Sequence, residues 1–373
     1  MSSKAKAILK KYALCSRCLS RQVKAPTKSS SRQEVCFICG GFFERIDDVA
    51  SSVVSALSDY EFENFSIGLS APVEWVEHED LIRSEFKIRG SYNVKSDALH
   101  TLASTLAKIL RKPLNRFKPD VIAIIDPLSG VVKVDARSIY LFGRYTKTRR
   151  GLPQKQPRCK VCRGCGCPEC EYTGKAKGMS VEQLISRYIL GIMQGSKATF
   201  SWFGGEDDRS LVLGGGRPFY VEVHTPKKRS LPNLSLPTNL GYGVKLTQLN
   251  LLGSKPEKAL SFKNKVLARL IFRSKPEKKI LGEMPHLLEN AEIHQASLCK
   301  RKTYVKRIYS PNIRIVGNKG VVRFISDGGL SIRRFLTGAG EPVTPTLPSI
   351  LGVEVELDED KPFDILDVML EGF

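Results

Sequence analysis

Residues 200–223 read FSWFGGEDDRSLVLGGGRPFYVEV. Two strand-like runs flank an acidic turn, and a glycine triplet with an arginine follows. Glu206, Asp207 and Asp208 sit in that turn. The surrounding chain is strongly basic: 59 lysines and arginines against 38 aspartates and glutamates, a formal net charge of +21 over 373 residues. On residue chemistry alone such a turn is most often solvated. It is also where a reactive carboxylate could stand beside a basic groove. A reactive carboxylate needs a cation that keeps it ionised and oriented. Arg217 in GGGRPF and Arg333 or Arg334 in GGLSIRRF are all candidates.

The charge excess points to an anionic partner, nucleic acid or an anionic membrane. No run approaches the roughly 18 apolar residues of a spanning helix, so no membrane contact is expected. The N-terminal MSSKAKAILKKYALC has no long apolar core, so a secretory signal is not expected. A cytoplasmic protein that touches nucleic acid is the expectation.

Nine of the ten cysteines fall into two clusters. Cys15 and Cys18 form one CxxC pair, and Cys36 and Cys39 a second. Two such knuckles supply a tetrahedral four-thiolate set for zinc. Four thiolates fill the coordination sphere, so the expected role is structural. The second cluster places Cys159, Cys162, Cys167 and Cys170 in a C-x2-C-x4-C-x2-C pattern, with Cys165 spare. Its glycines suit the tight turns of a small zinc hairpin.

The apolar spacing of Val49, Val53 and Leu57 predicts a helix, and FENFSIGL (62–69) a strand. A second helix is expected from Ser96 as N-cap, with Leu99, Leu102, Leu106 and Leu110 on one face. DVIAIID (120–126) and GVVKVDARSIYLFG (130–143) read as strands. GRYTKTRRGLPQKQPR (143–158) carries six basic residues and two prolines; it reads equally as a solvated linker or a phosphate-contacting segment. Ser180 and Gln183 have capping-box spacing ahead of an apolar-faced helix. Residues 225–263 read as an irregular connection. KVLARLIFR (265–273), KTYVKRIYS (302–310), IRIVG (313–317) and VVRFIS (321–326) read as strands whose interleaved cations can line one sheet face. VEVELDEDKPFDILDVML (353–370) is expected to form a strand and a short helix.

GRYTKTRRGLPQ, the CRGCGCPEC cluster with YTGK, SVEQLI, GED with LGGGRPFYVEV, and GLSIRRFLTG with PSILG occur in one order. In that ordered set the chain resembles the archaeal tRNA pseudouridine synthases of the Pus-ten family. The likeness spans nearly the whole chain. It implies an α+β fold: a zinc-bearing, THUMP-like RNA-binding domain over 1–145, a basic linker with the second cysteine cluster over 146–178, and a pseudouridine synthase catalytic domain over 179–373 on a mixed, mostly antiparallel sheet. It implies conversion of uridine to pseudouridine in the T arm of tRNA, at position 54, 55 or both, with structural zinc and no organic cofactor. The expected partner is tRNA, bound by a monomer.

The family's GRED motif falls on Gly204, Gly205, Glu206 and Asp207, which makes Asp207 the implied nucleophile. Its GTYIK motif falls on Gly329, Leu330, Ser331, Ile332 and Arg333, which makes Arg333 the implied partner of Asp207. Arg217 becomes a positioning residue. Leu267 and Ser331 stand where the family carries tyrosines, and Gly205 where it carries arginine. The expected RNA path runs along Arg144, Lys147, Arg149 and Arg150. A tRNA-binding module with weakened or lost catalysis is the alternative. A different THUMP-type enzyme is disfavoured, because the chain has neither a dinucleotide-binding glycine motif nor a P-loop.

Overall fold

The computed structural model describes residues 2–23, 35–89, 92–256, 261–297, 302–340 and 343–371. The chain divides into two compact units. One takes the chain to Ser138 and adds Thr225–Arg229; the other holds Ile139–His224 and the chain from Ser230. The boundary expected at residue 145 is corrected by this division. Ile139–Lys147 is a single strand hydrogen-bonded on both edges inside the second unit's sheet. The expected linker over 146–178 likewise belongs to that unit.

The first unit contains helices α1 (Ser3–Lys11), α2 (Ser16–Val23) and α3 (Ile46–Leu57), strand β1 (Phe65–Leu69), helices α4 (Glu74–Glu85) and α5 (Val94–Leu110), and strands β2 (Val121–Ile125) and β3 (Val132–Ala136). β1 runs parallel to β2, and β3 antiparallel to it. Val49, Val53 and Leu57 are buried, as their spacing predicts. α5 begins earlier than expected: the Asn93 side chain, not Ser96, caps it, accepting from the Ser96 amide at 2.8 Å. α4 escapes sequence reading because its buried face includes Glu79 between Trp75 and Ile82. That carboxylate is fully buried and satisfied by Arg21, by Gln22 Nε2 at 2.9 Å and by the Val94 amide at 2.8 Å. Residues 225–229 join this unit through Arg229, whose amide donates to Glu61 at 2.8 Å, and Lys227, which pairs with Asp59 at 2.9 Å.

The second unit contains β4 (Ile139–Lys147), α6 (Val181–Met193), β5 (Lys197–Trp202), β6 (Val212–His224), β7 (Thr238–Gly241), β8 (Val244–Leu252), β9 (Ser261–Phe272), α7 (Lys278–Leu288), β10 (Glu292–Ser297), β11 (Lys302–Val316), β12 (Lys319–Asp327), α8 (Ile332–Thr337), β13 (Val343–Thr344), α9 (Leu347–Leu351), β14 (Val355–Leu357) and β15 (Phe363–Glu371). Its sheet has the order β13-β10-β11-β12-β9-β15-β6-β4-β8-β7, with β14 added to β9 and β5 to β6. Among its described pairings only β15 with β6 is parallel, so the sheet is mixed and mostly antiparallel.

Two expectations fail here. Residues 225–263 are not irregular throughout, because Val244, Leu246 and Leu249 bury one side of β8 against β4. The acidic C-terminal stretch forms two strands and no helix. β15 lies in the middle of the sheet, between β9 and β6, and buries Phe363, Ile365 and Val368.

α6 covers one half of the sheet, packing Leu184, Ile185 and Ile189 with Leu141, Phe219 and Val221. Its Ser180–Gln183 capping box forms as predicted. α7, α8 and α9 cover the other half, over Val266, Phe324 and Ile365. Val212 belongs to the first cluster and its register partner Ile365 to the second, so the seam between them runs along β6 and β15. The acidic turn delivers the chain into β6 at that seam.

Candidate active site

The loop between β5 and β6 turns at Gly204, whose φ is +77°. A Cβ there would lie 2.7 Å from Arg217 Nη1, so both the backbone angle and the space call for glycine. Gly205 has ordinary φ, and its Cβ position has no neighbour nearer than Gln154 Oε1 at 3.7 Å. A methyl group would have room there.

The three acidic residues have separate fates. Glu206 points inward and its side chain is fully buried. Arg217 Nε lies 2.7 Å from Glu206 Oε2, an ion pair by distance without hydrogen-bond alignment. The Tyr145 hydroxyl donates to Glu206 at 2.7 Å, and Gln154 Nε2 donates to Tyr145 at 3.0 Å. Burial first, then the Glu206 charge, push the Tyr145 phenol well above its ordinary pKa. Lys147 Nζ stands 3.8 Å from Glu206. It donates to the carbonyls of Leu152 at 2.8 Å, Asp207 at 3.1 Å and Asp208 at 3.3 Å. Burial lowers its pKa, against the raising effect of Glu206 and Asp208. Arg217 also holds the carbonyls of Phe203 at 2.8 Å and Gly205 at 3.2 Å. These buried cations clamp the loop from beneath.

Asp207 faces the other way. Arg333 Nε donates to Asp207 Oδ2 at 3.1 Å, and Arg333 Nη2 donates to the same oxygen. Asp207 Oδ1 accepts the Arg209 amide at 3.2 Å. Burial pushes the Asp207 carboxyl up, but hydrogen bonds with Asp208 and Arg333 outweigh it and hold its pKa below the ordinary value. Asp208 moves up, chiefly through its hydrogen bond with Asp207, then through burial. Of the candidate arginines, Arg333 is the one on the Asp207 carboxylate. It projects from the first turn of α8, just after Gly329 at φ +85°. Gln295 of β10 fixes that entry, accepting the Ser331 amide at 2.8 Å.

Other expected site residues lie differently. Arg217 is a fully buried strut for Glu206 and the loop, with no surface for a substrate. Arg144 is turned onto backbone, donating to Gly216 O at 2.9 Å and to Val368 O. Lys147 is fully buried. Arg150 forms a fork with Asp364 at 2.6 and 2.9 Å. The expected RNA path therefore keeps only Arg149 as an exposed cation. Leu267 is half-buried in β9, between Asp364 and Arg323 in register. Sequence reading missed the inward roles of Tyr145, Gln154, Lys147 and Glu206. One signal was present: Tyr145 and Lys147 follow Leu141 at strand period, so both side chains were due on the covered face.

Both cysteine clusters fit a metal. In each, the four Sγ atoms lie within 4.8 Å of one another. Cys15 and Cys39 are 3.8 Å apart, and the second cluster has spacings of 3.7 to 3.9 Å. A tetrahedron with Zn–S near 2.3 Å has S–S edges of about 3.8 Å. Amides of Gly166 and Gly174 donate to Cys162 and Cys170 sulfurs at 3.2 and 3.3 Å, as ligating thiolates require. Cys165 is exposed and outside the set.

The chain matches the Pus10 C-terminal family over residues 140–369 and the archaeal Pus10 THUMP domain over 49–126. It is 31% identical to the tRNA pseudouridine synthase Pus10 of Nitrosopumilus maritimus, covering 97% of this chain and 96% of that one. It is 27% identical to the protein of that name from Pyrococcus furiosus, covering 98% and 97%. A solved structure described as a Cbf5-Nop10-Gar1 complex aligns at 16% identity over 48% of this chain and 43% of the other. Its TM-score is 0.28, too slight to carry an argument. On the extent of these matches, the chain belongs to the Pus10 family, whose archaeal members are named tRNA pseudouridine synthases.

Proposed function

We propose that this protein isomerises uridine to pseudouridine in the T arm of tRNA, with Asp207 as nucleophile and Arg333 as the residue that keeps it ionised and aimed. The observation that carries this reading is the division of labour in the acidic turn. Glu206 is sealed beneath the loop, while Asp207 meets Arg333 from α8.

The reaction is an isomerisation and needs no oxidant, reductant or organic cofactor. The target nucleotide leaves its stack to reach the carboxylate. Asp207 adds either to the ribose C1′ or to the uracil ring. The N1–C1′ bond breaks, the uracil turns, a C5–C1′ bond forms, and the bond to Asp207 breaks to return the free carboxylate. The proton leaves C5 and N1 gains one, so atoms and charge balance. Lys147, Tyr145 and Arg217 hold the loop through Glu206 and backbone carbonyls, so Asp207 keeps its place as the base moves. Ser331, at the entry to α8, offers no phenol beside Arg333, and Leu267 lies on the sheet face away from α8. Zinc held by Cys15, Cys18, Cys36 and Cys39, and by Cys159, Cys162, Cys167 and Cys170, would supply structural cross-links only. The partner is tRNA and the setting cytoplasmic.

Pseudouridine mapping on an unmodified archaeal tRNA transcript tests the reading. New pseudouridine confined to the T arm is expected. A tRNA that is bound but left unmodified would contradict it and support a tRNA-binding module, the reading that the missing tyrosines favour.

A further inference from the structure

β9, β12 and β11 lie side by side, and one face of them is packed under α7, α8 and α9 through Leu270, Val322 and Phe324. Alternation sends Arg269, Val321, Arg323 and Arg314 to the other face. Val321 pairs in register with Arg269 on one side and Arg314 on the other. The two arginines therefore flank it about 9–10 Å apart. Arg323 follows on the same face, between Leu267 and Asn312. Lys319 and the 83% exposed Val316 stand at the end, and the half-open cavity measures about 500 Å³.

The charges of this cavity are unbalanced. Arg314, Lys319 and Arg323 have no ion-pair partner among the described residues. The carboxylate that lines the cavity, Asp358, accepts the amides of Asp360 at 3.0 Å and Lys361 at 3.1 Å within its own loop. Arg269 is shared with Asp364, which also holds Arg150 and accepts the Leu211 amide at 3.0 Å. Leu211 ends the acidic turn. The basic cavity is thus joined to the Asp207 loop through one carboxylate.

We propose that this cavity binds phosphates of the RNA substrate outside the nucleotide that enters the Asp207 site. Three unpaired cations match a polyanion, and exposed Val316 and Val321 between them offer a surface for a base or sugar. An acidic protein segment would satisfy the charges, but the continuity with the Asp207 loop favours the substrate's own backbone. The proposal rests on the tRNA reading of the site, and replaces the expected path along Arg144 and Lys147, which are turned inward.

The test is direct binding of a labelled, unmodified tRNA transcript across a salt series. It compares the wild-type chain, an Arg314→Ala/Arg323→Ala pair and an Arg314→Lys/Arg323→Lys pair, with thermal melting as the check on folding. The alanine pair should bind roughly tenfold more weakly at moderate salt, and its log–log salt slope should be shallower by about two. The lysine pair should keep the wild-type slope. Unchanged affinity and slope in a folded alanine pair would overturn the proposal. So would a lysine pair that loses as much slope as the alanine pair. Binding is read without turnover, so a wild-type protein that binds tRNA but forms no pseudouridine would sink the catalytic reading and leave this one standing.

Discussion

Glu206 and Asp207 are neighbours in the chain and opposites in environment. Glu206 balances Arg217 and Lys147 in a sealed cluster. Replacing it with Gln leaves two buried cations short of their counter-charge, and such losses cost about 3–5 kcal/mol; urea unfolding should show a loss of that size. Gly204 and Gly205 make a sharper contrast. Gly204→Ala should destabilise the loop and depress turnover, while Gly205→Ala should stay within about 0.5 kcal/mol of wild type. Equal effects at both positions would contradict the loop geometry. Asp207 has a lowered pKa, so its pairing with Arg333 contributes stability above the unfolded value near 3.9, lost as pH falls through the folded value. The acid limb of the single-turnover rate should therefore lie below the ordinary carboxylate range, and Arg333→Ala should move it upward. The Asp207–Arg333 pair was legible through ordered motifs, since residue chemistry left Arg217, Arg333 and Arg334 equal. The buried role of Glu206 was not legible, because an acidic turn in a basic chain reads as solvated until its partners are placed.

At the scale of elements, the legible ones carried a local signature. The capping box at Ser180 and the apolar stripe of Leu184, Ile185 and Ile189 are encoded within one helix. Ser180→Ala should cost about 1 kcal/mol by thermal or chemical unfolding. β8 and β15 carry weaker signatures. β8 spends Lys245, Gln248 and Asn250 among its apolar residues, which hides its alternation. β15 buries Asp364, a residue that argues against a central strand until Arg150, Arg269 and the Leu211 amide are found around it. A charged residue is affordable in the sheet only with partners that come from far along the chain. The same reason bears on Lys147: two of its three carbonyl acceptors belong to a loop about sixty residues on. Such long-range satisfaction leaves no local mark in sequence.

At the scale of the molecule, the two four-cysteine sets predict two zinc ions per chain. Metal analysis of the purified protein should find that ratio, and Cys15→Ser with Cys18→Ser should remove one ion and keep the other. The net charge of +21 and the exposed cations on β11 and β12 fit one polyanionic partner, while the proposed chemistry needs a single carboxylate. Binding and turnover should therefore separate. The most direct test is the single-turnover rate of pseudouridine formation at saturating protein for wild type and Asp207→Asn, with tRNA affinity measured alongside. Asn should lower the rate by roughly a thousandfold or more while affinity stays near wild type. A variant that still forms pseudouridine at a rate near wild type would contradict Asp207 as the nucleophile.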